Sequence, residues 1–361
     1  MNNDKIKLNR YYYDFLNYYK KAARVQKIAN LGGHPYLGSC GDDLIESVTI
    51  YDTVERQHAG FQNMLQDLWF GEKAPKYYKW SNEHKSRNVS YNDQHKFWSR
   101  REWLWIFMFH RITGSGASFE ADHGYRNTVI PQLAKLQTCE QMEEWVQKNV
   151  DIPMFTSIGN QIPMFPSRYL WKSLNKSGFE YKTPGKLWIS ECMTQLVDDT
   201  WEFMDEIRNW QGRRVNIREI VDYMCEWNRE RGMKRFHFQF TATAADLADY
   251  YPDMVDQYSH MYYGKNAKES MDMFAEKIGR YKKELYYDYV MEAVVKDTGG
   301  APRDLEDVMC DYIRYVENYI PHSKQKTYEH LDRTKIWNTS AIQDHPKGRQ
   351  KWMMGTDHWI W

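Results

Sequence analysis

The chain lacks a CxxC pair, and its five cysteines (Cys40, Cys139, Cys192, Cys225 and Cys310) are scattered along it. Neither a zinc knuckle nor a disulfide framework is expected, and a reducing, intracellular setting fits. A long apolar run is missing as well. The longest, residues 103–109, has seven members, against the ~20 needed to span a bilayer. The opening MNNDKIKLNRYYY has no apolar stretch of the kind a secretory leader carries. Nor is there an excess of one charge, since 49 Lys+Arg balance 49 Asp+Glu. A polycation and a strongly acidic solvating chain are excluded, while a local basic groove is not. Internal repeats are absent and strand-like alternation is scarce. What is abundant is bulk: 15 Trp, 27 Tyr, 15 Phe and 18 Met among 361 residues. Each aromatic buries roughly 150–250 Å². That supports a sizeable core and rules out disorder of the whole chain.

Helical patterns dominate. They predict helices over 10–29, stopping before Gly32-Gly33, over 52–69, and over 97–112, where an apolar stretch enters the core. Residues 72–96 are polar and read as a linker, TGSGASFEADHG as a turn, and 139–149 as a short helix. Residues 150–187 carry Pro153, Pro163, Pro166 and Pro184 and read as a long irregular loop. A helix is expected over 188–210. Asn216 with Glu219 then signals a helix over 217–231. FHFQFTAT alternates in its first half, but its continuation AADLADYY favours a helix over 236–251. Asn266 is placed to cap a long helix reaching Lys296 and closed by Gly299-Gly300. Pro302 sits where a first-turn proline belongs in a helix running to Ile320. The expected fold is mainly α with irregular loops. It is divided into an N-terminal helical extension (1–95), a helical catalytic domain (96–320) and a Trp-rich tail (321–361).

Three stretches hold residues suited to chemistry. In the first, His110 and Arg111 end an apolar helix, a Gly-rich turn follows, and Glu120, Asp122 and His123 come next. Freed backbone N–H groups and an Arg suit an anion such as phosphate. A plain helix–loop–helix turn with solvated charges reads equally from the same residues. In the second, Asp246 lies in a small, apolar helix face, where a buried carboxylate needs a partner or a raised pKa. Gly264-Lys265-Asn266 makes a turn into a helix start, which can hold a phosphate or be a simple cap. In the third, Glu306, Cys310 and Arg314 share a helix face, with Asp307, Asp311 and Tyr315 on the adjacent stripe. Cys310 suits a thiolate beside Arg or a buried apolar filler. Arg314 can pair with Glu306 or with Asp311. Basic residues at Lys20-Lys21-Arg24, Arg229–Arg235 and Arg280–Lys283 suit a phosphate backbone or solvated helix faces. The tail KWMMGTDHWIW suits base stacking or docking on the body.

Taken in order, these stretches resemble the helical phage proteins called alpha-glutamyl/putrescinyl thymine pyrophosphorylases, or amino acid:DNA transferases. They equally resemble the helical domain of 5-hydroxymethyluracil DNA kinases. Residues 97–116 are similar to that family's early aromatic-plus-Arg helix. Residues 238–274 are similar to its central pattern through Asp246-Leu247, Gly264 and Ala267. Residues 304–315 are similar to its late pattern through Glu306, Cys310, Asp311, Arg314 and Tyr315. Met309 stands for Leu, Asp311 for Glu, Arg314 for Lys, and Lys265 fills the second glycine-turn position. The likeness covers about 97–330. It implies a fold related to helix-hairpin-helix DNA glycosylases. It also implies a DNA substrate, 5-hydroxymethyluracil activated as a pyrophosphate ester, with its base extruded or single-stranded. An amino acid or polyamine would displace the pyrophosphate, with or without Mg²⁺, in the cytoplasm of an infected bacterium. On this reading Asp246, Glu306, Asp311 and His110 are catalytic. Arg111, Gly264, Lys265, Asn266, Arg314 and Cys310 bind substrate or phosphate. A glycosylase-like base-acting enzyme and a non-catalytic helical nucleic-acid-binding protein are the alternatives.

Overall fold

The computed structural model describes residues 6–30, 40–47, 53–56, 62, 65, 69, 99–113, 135, 136, 138, 141, 144, 193–231, 235–278, 283–316, 319, 320, 353 and 354. Among these the chain is mainly helical. In order the elements are β1 (Ile6–Leu8), α1 (Arg10–Asn30), α2 (Asp43–Ser47), α3 (Arg100–Thr113), α4 (Thr194–Gln211), β2 (Val215–Asn216), α5 (Ile217–Glu230) and α6 (His237–Tyr250). They continue with β3 (Val255–Asp256), α7 (Lys265–Phe274), β4 (Ala275–Lys277), α8 (Lys283–Thr298), α9 (Pro302–Val316), β5 (Tyr319–Ile320) and β6 (Met353–Met354). Among the described residues no helix is long and apolar enough to cross a membrane. The expected linker 72–96, the turn after Thr113 and the loop 150–187 lie outside the described residues. The expected helices over 52–69 and 139–149, and the tail, lie largely outside them.

The described residues fall into two compact units. One draws on Met1–Asn63 and Tyr263–Trp359, the other on Leu65, Trp69 and Ser90–Tyr262. The border after Tyr262 runs through the stretch 96–320.

In the first unit, Asn9 starts α1: its Oδ1 accepts the Tyr11 N–H at 3.0 Å, as an N-cap should. The aromatics of α1 recur at three-residue spacing, and Tyr12, Phe15 and Tyr18 are buried. Phe15 stacks on Phe274 at 4.9 Å and meets Tyr312 edge-on at 5.3 Å, while Tyr18 lies 5.0 Å from Tyr315. The first helix thus closes against α7 and α9, more than two hundred residues on. One expectation needs correction here. The single helix from Asn266 to Lys296 is two helices, capped by Gly264 rather than Asn266. The chain turns extended at Ala275 because β4 pairs antiparallel with β1, Leu8 opposite Ala275 and Ile6 opposite Lys277. The Tyr286 hydroxyl donates to the Ala275 and Met271 carbonyls and secures the break. A second correction concerns α9, which ends at Val316 rather than Ile320. Tyr319–Ile320 instead pairs with Met353–Met354. Pro302 does open α9, and Gly299, at φ 76°, closes α8 as expected.

In the second unit, residues 103–109 of α3 are all buried. Trp69 packs on Trp103 at 4.6 Å and on Tyr250 at 4.8 Å. The Asn216–Glu219 signal forms a full capping box at the start of α5, with the Asn216 N–H donating to Glu219 Oε2 at 2.9 Å. Arg213 grips the same carboxylate through both terminal nitrogens. Asn216→Ala should therefore cost about 0.5–2 kcal/mol in urea unfolding, the range for a lost N-cap. A variant as stable as the parent would show the cap to be dispensable. Residues 237–250 are helical, as favoured over the strand, and α6 is buried on nearly every side.

Candidate functional site

The carboxylate singled out in the apolar helix is buried and paired. Asp246 is fully buried, and Arg111 reaches it from the last turn of α3. Arg111 Nε donates to Asp246 Oδ2 and Nη2 to Oδ1, both at 2.6 Å. This bidentate geometry is the strong form of a charge-assisted contact. A guanidinium is the partner a buried carboxylate requires, since an unpaired one costs several kcal/mol. Gln239, Thr243 and Asp249 are buried on the same helix, so α6 carries a polar stripe through the core. His110 lies in α3, but its side chain, like Glu120, Asp122 and His123, is outside the described residues.

The second polar group joins the central and late stretches. Gly264 caps α7, and its N–H donates to Glu306 Oε1 at 2.9 Å. One amide at this helix start is thus engaged by the protein's own carboxyl. Lys265 is exposed and Asn266 half-buried beside it. Glu306 is buried on the second turn of α9. Burial, and after it the neighbouring Asp307, raise its pKa from 4.5 to about 8; the Gly264 amide and Arg56 oppose this only in part. Arg56 lies 3.6 Å from Asp307 Oδ2, and its backbone N–H donates to Asp304 Oδ1 at 3.0 Å. Of the two pairings open to Arg314, the structure forms the one with Asp311, at 2.7 Å. Tyr315, at the end of the same pattern, donates to the buried carboxylate of Asp42.

No family model, curated protein or solved structure matches this chain. The placement of the residues therefore carries the functional reading. The structure joins Arg111 with Asp246 in one unit, and Gly264 with Glu306 in the other. Arg56 and Asp307 were not assigned a role by sequence reasoning. Arg56 gives no local signal because its partners lie about 250 positions away, whereas Asp307 was visible as part of the acidic stripe on α9. Among the described residues no three His, Cys, Asp or Glu side chains gather as a metal site requires. A groove of about 410 Å³ lies along α3 and α4, lined by Arg100, Arg101, Asp198, Trp201, Asp205 and Trp210. It contains none of the residues picked out from the sequence. Its cations are already engaged, Arg100 with Asp205 and Arg101 with Asp198. Within the cluster at 229–235, Arg229 pairs with Glu226 and Arg231 stacks on Trp227.

The three cysteines among the described residues are poorly suited to attack. Burial pushes the Cys310 thiol up to about 12, although Arg314 pulls the other way, and burial takes Cys40 and Cys225 to about the same value. A thiol in that state is the inert, packed kind. Alkylation near pH 8 with peptide mass mapping should leave these three unmodified in the native protein and modify them in urea. Fast native labelling of Cys310 would return it to the list of nucleophiles.

Proposed function

We propose that the chain is a DNA base-modifying transferase of glycosylase-like fold. It would replace the pyrophosphate on activated 5-hydroxymethyluracil with an amine. The observations that support this reading are two polar contacts, one within each compact unit, between residues of the ordered stretches. Arg111 of the early stretch holds Asp246 of the central one. Gly264 of the central stretch holds Glu306 of the late one. Buried carboxyls with displaced titration gather at sites of chemistry more than elsewhere.

In the reaction the amine nitrogen lone pair forms a bond to the exocyclic carbon. The carbon–oxygen bond breaks, and its electron pair leaves with pyrophosphate. The proton shed by the amine passes to a carboxylate. Glu306 suits that role better than Asp246. A carboxyl that releases its proton near neutral pH is a stronger base than an ordinary one. Both oxygens of Asp246 already accept from Arg111, so Asp246 orients the end of α3. Lys265, exposed at the start of α7, is available to a phosphate.

The test is mass spectrometry of nucleosides after incubating the protein with pyrophosphorylated hydroxymethyluracil DNA and a mixture of amines. An amine-substituted thymine is the expected product. Release of the free base would favour a glycosylase. DNA binding without either product would favour a non-catalytic binding protein.

A further inference from the structure

The first helix carries charge that the packing of its own unit does not use. α1 has five cations, Arg10, Lys20, Lys21, Arg24 and Lys27, against one carboxylate, Asp14. The chain as a whole has equal numbers of acids and bases. The apolar face of α1 is turned inward, with Tyr12, Phe15, Tyr18, Ala22 and Val25 buried. On the opposite side Lys20, Arg24 and Lys27 are exposed, at spacings of four and three residues. Such spacings place them in one row. At 1.5 Å per residue the row is about 10.5 Å long. Exposed Asn17 and Tyr13 continue it toward the helix start. Lys21, off the row, lies 4.0 Å from Asp42, whereas no carboxylate among the described residues comes as close to Lys20, Arg24 or Lys27. The helix macrodipole favours a cation in the last turn, where Lys27 stands. Lys20 is ten positions before the end at Asn30, beyond the reach of that effect. The dipole therefore does not account for the row.

We propose that this face of α1 docks on the phosphate backbone of DNA, with Lys20, Arg24 and Lys27 each neutralising a phosphate of one strand. Each strand of a duplex presents a phosphate per ~3.4 Å of axis, so the row faces about three of them. Contacts of this kind set affinity and register rather than sequence preference. An anionic lipid surface fits less well. An interfacial helix must sink its apolar face into the bilayer, and here that face is closed against α7 and α9, with Phe15 on Phe274 and Tyr312. The row of cations exists whatever the protein does. DNA as its polyanion rests on the transferase reading above.

Fluorescence anisotropy of a short labelled duplex, titrated with the full chain at a series of salt concentrations, tests this. The logarithm of affinity should fall linearly with the logarithm of salt concentration. In the joint variant Lys20→Gln, Arg24→Gln and Lys27→Gln, binding should weaken alike for duplexes of different sequence. Its slope should be shallower by about 0.9 per charge removed, ~2.7 in all. Lys20→Arg with Lys27→Arg keeps the charges and should keep the parent's slope. Glutamine suits an exposed helix position, and circular dichroism checks that the joint variant folds. Lysine acylation of the parent, mapped by mass spectrometry, needs no variant: bound duplex should protect Lys20 and Lys27. A joint-variant slope that overlays the parent's overturns the proposal, and so do unprotected Lys20 and Lys27 in the bound parent. A parent that binds phosphatidylserine vesicles and not the duplex overturns it as well. The same samples are assayed for amine transfer on pyrophosphorylated hydroxymethyluracil DNA. A shallower slope without any transfer by the parent would leave the docking face standing and sink the transferase. Transfer with overlaid slopes would do the reverse.

Discussion

Arg111→Ala should lower the free energy of unfolding by about 3–5 kcal/mol, the cost of leaving a buried charge without its partner. Asp246 is fully buried within the polar stripe of α6, and both its oxygens accept from that guanidinium. Removing Arg111 takes two charged donors from a fully buried carboxylate. Asp246→Ala should be costly for the same reason, with the guanidinium deprived of this carboxylate. The joint replacement Arg111→Met with Asp246→Leu should recover most of the loss, since an apolar pair of similar volume avoids desolvation altogether. Urea unfolding of the single and joint variants reads this as a coupling energy. A loss below about 1 kcal/mol for Arg111→Ala would mean the pair is solvated and Arg111 is free for another duty.

Glu306→Gln should lower amine-transfer turnover by ~10²-fold or more while DNA binding persists, as removal of a general base does. Glutamine keeps the shape and can still accept from the Gly264 N–H, so the helix start is preserved. What is lost is a group able to take a proton near neutral pH. In the parent the base must be ionised to act. The rate should rise with pH and level off above about 8, and this limb should be missing in the variant. The two variants separate by kind of effect: Arg111→Ala acts chiefly on stability, Glu306→Gln chiefly on turnover. Unchanged turnover in a folded Glu306→Gln protein would move the base elsewhere.

Local chemistry was the readable part of this chain. The capping box at Asn216, the first-turn proline at Pro302 and the glycine closing α8 each act within four residues of where they are written. The oddity of Asp246 was equally legible, because a carboxylate among alanines and threonines must find a partner or be exposed. Its partner was not legible as such. Arg111 stands 135 positions earlier, and the same arginine suits an anion as well as it suits Asp246.

Thus helical class, most helix starts and the suspect carboxyls were determined by sequence alone, since propensity, capping and amphipathic spacing depend on near neighbours. Only the tertiary structure decided which charges neutralise one another, and where two helices stop. The helix expected to run through Ala275 breaks because its backbone donors and acceptors are taken by Ile6–Leu8 at the other end of the chain. Glu306 is displaced from ordinary carboxyl behaviour by burial and by Asp307. Asp307 could be read from the sequence. Burial could not, because it comes from elements brought together only when the chain folds.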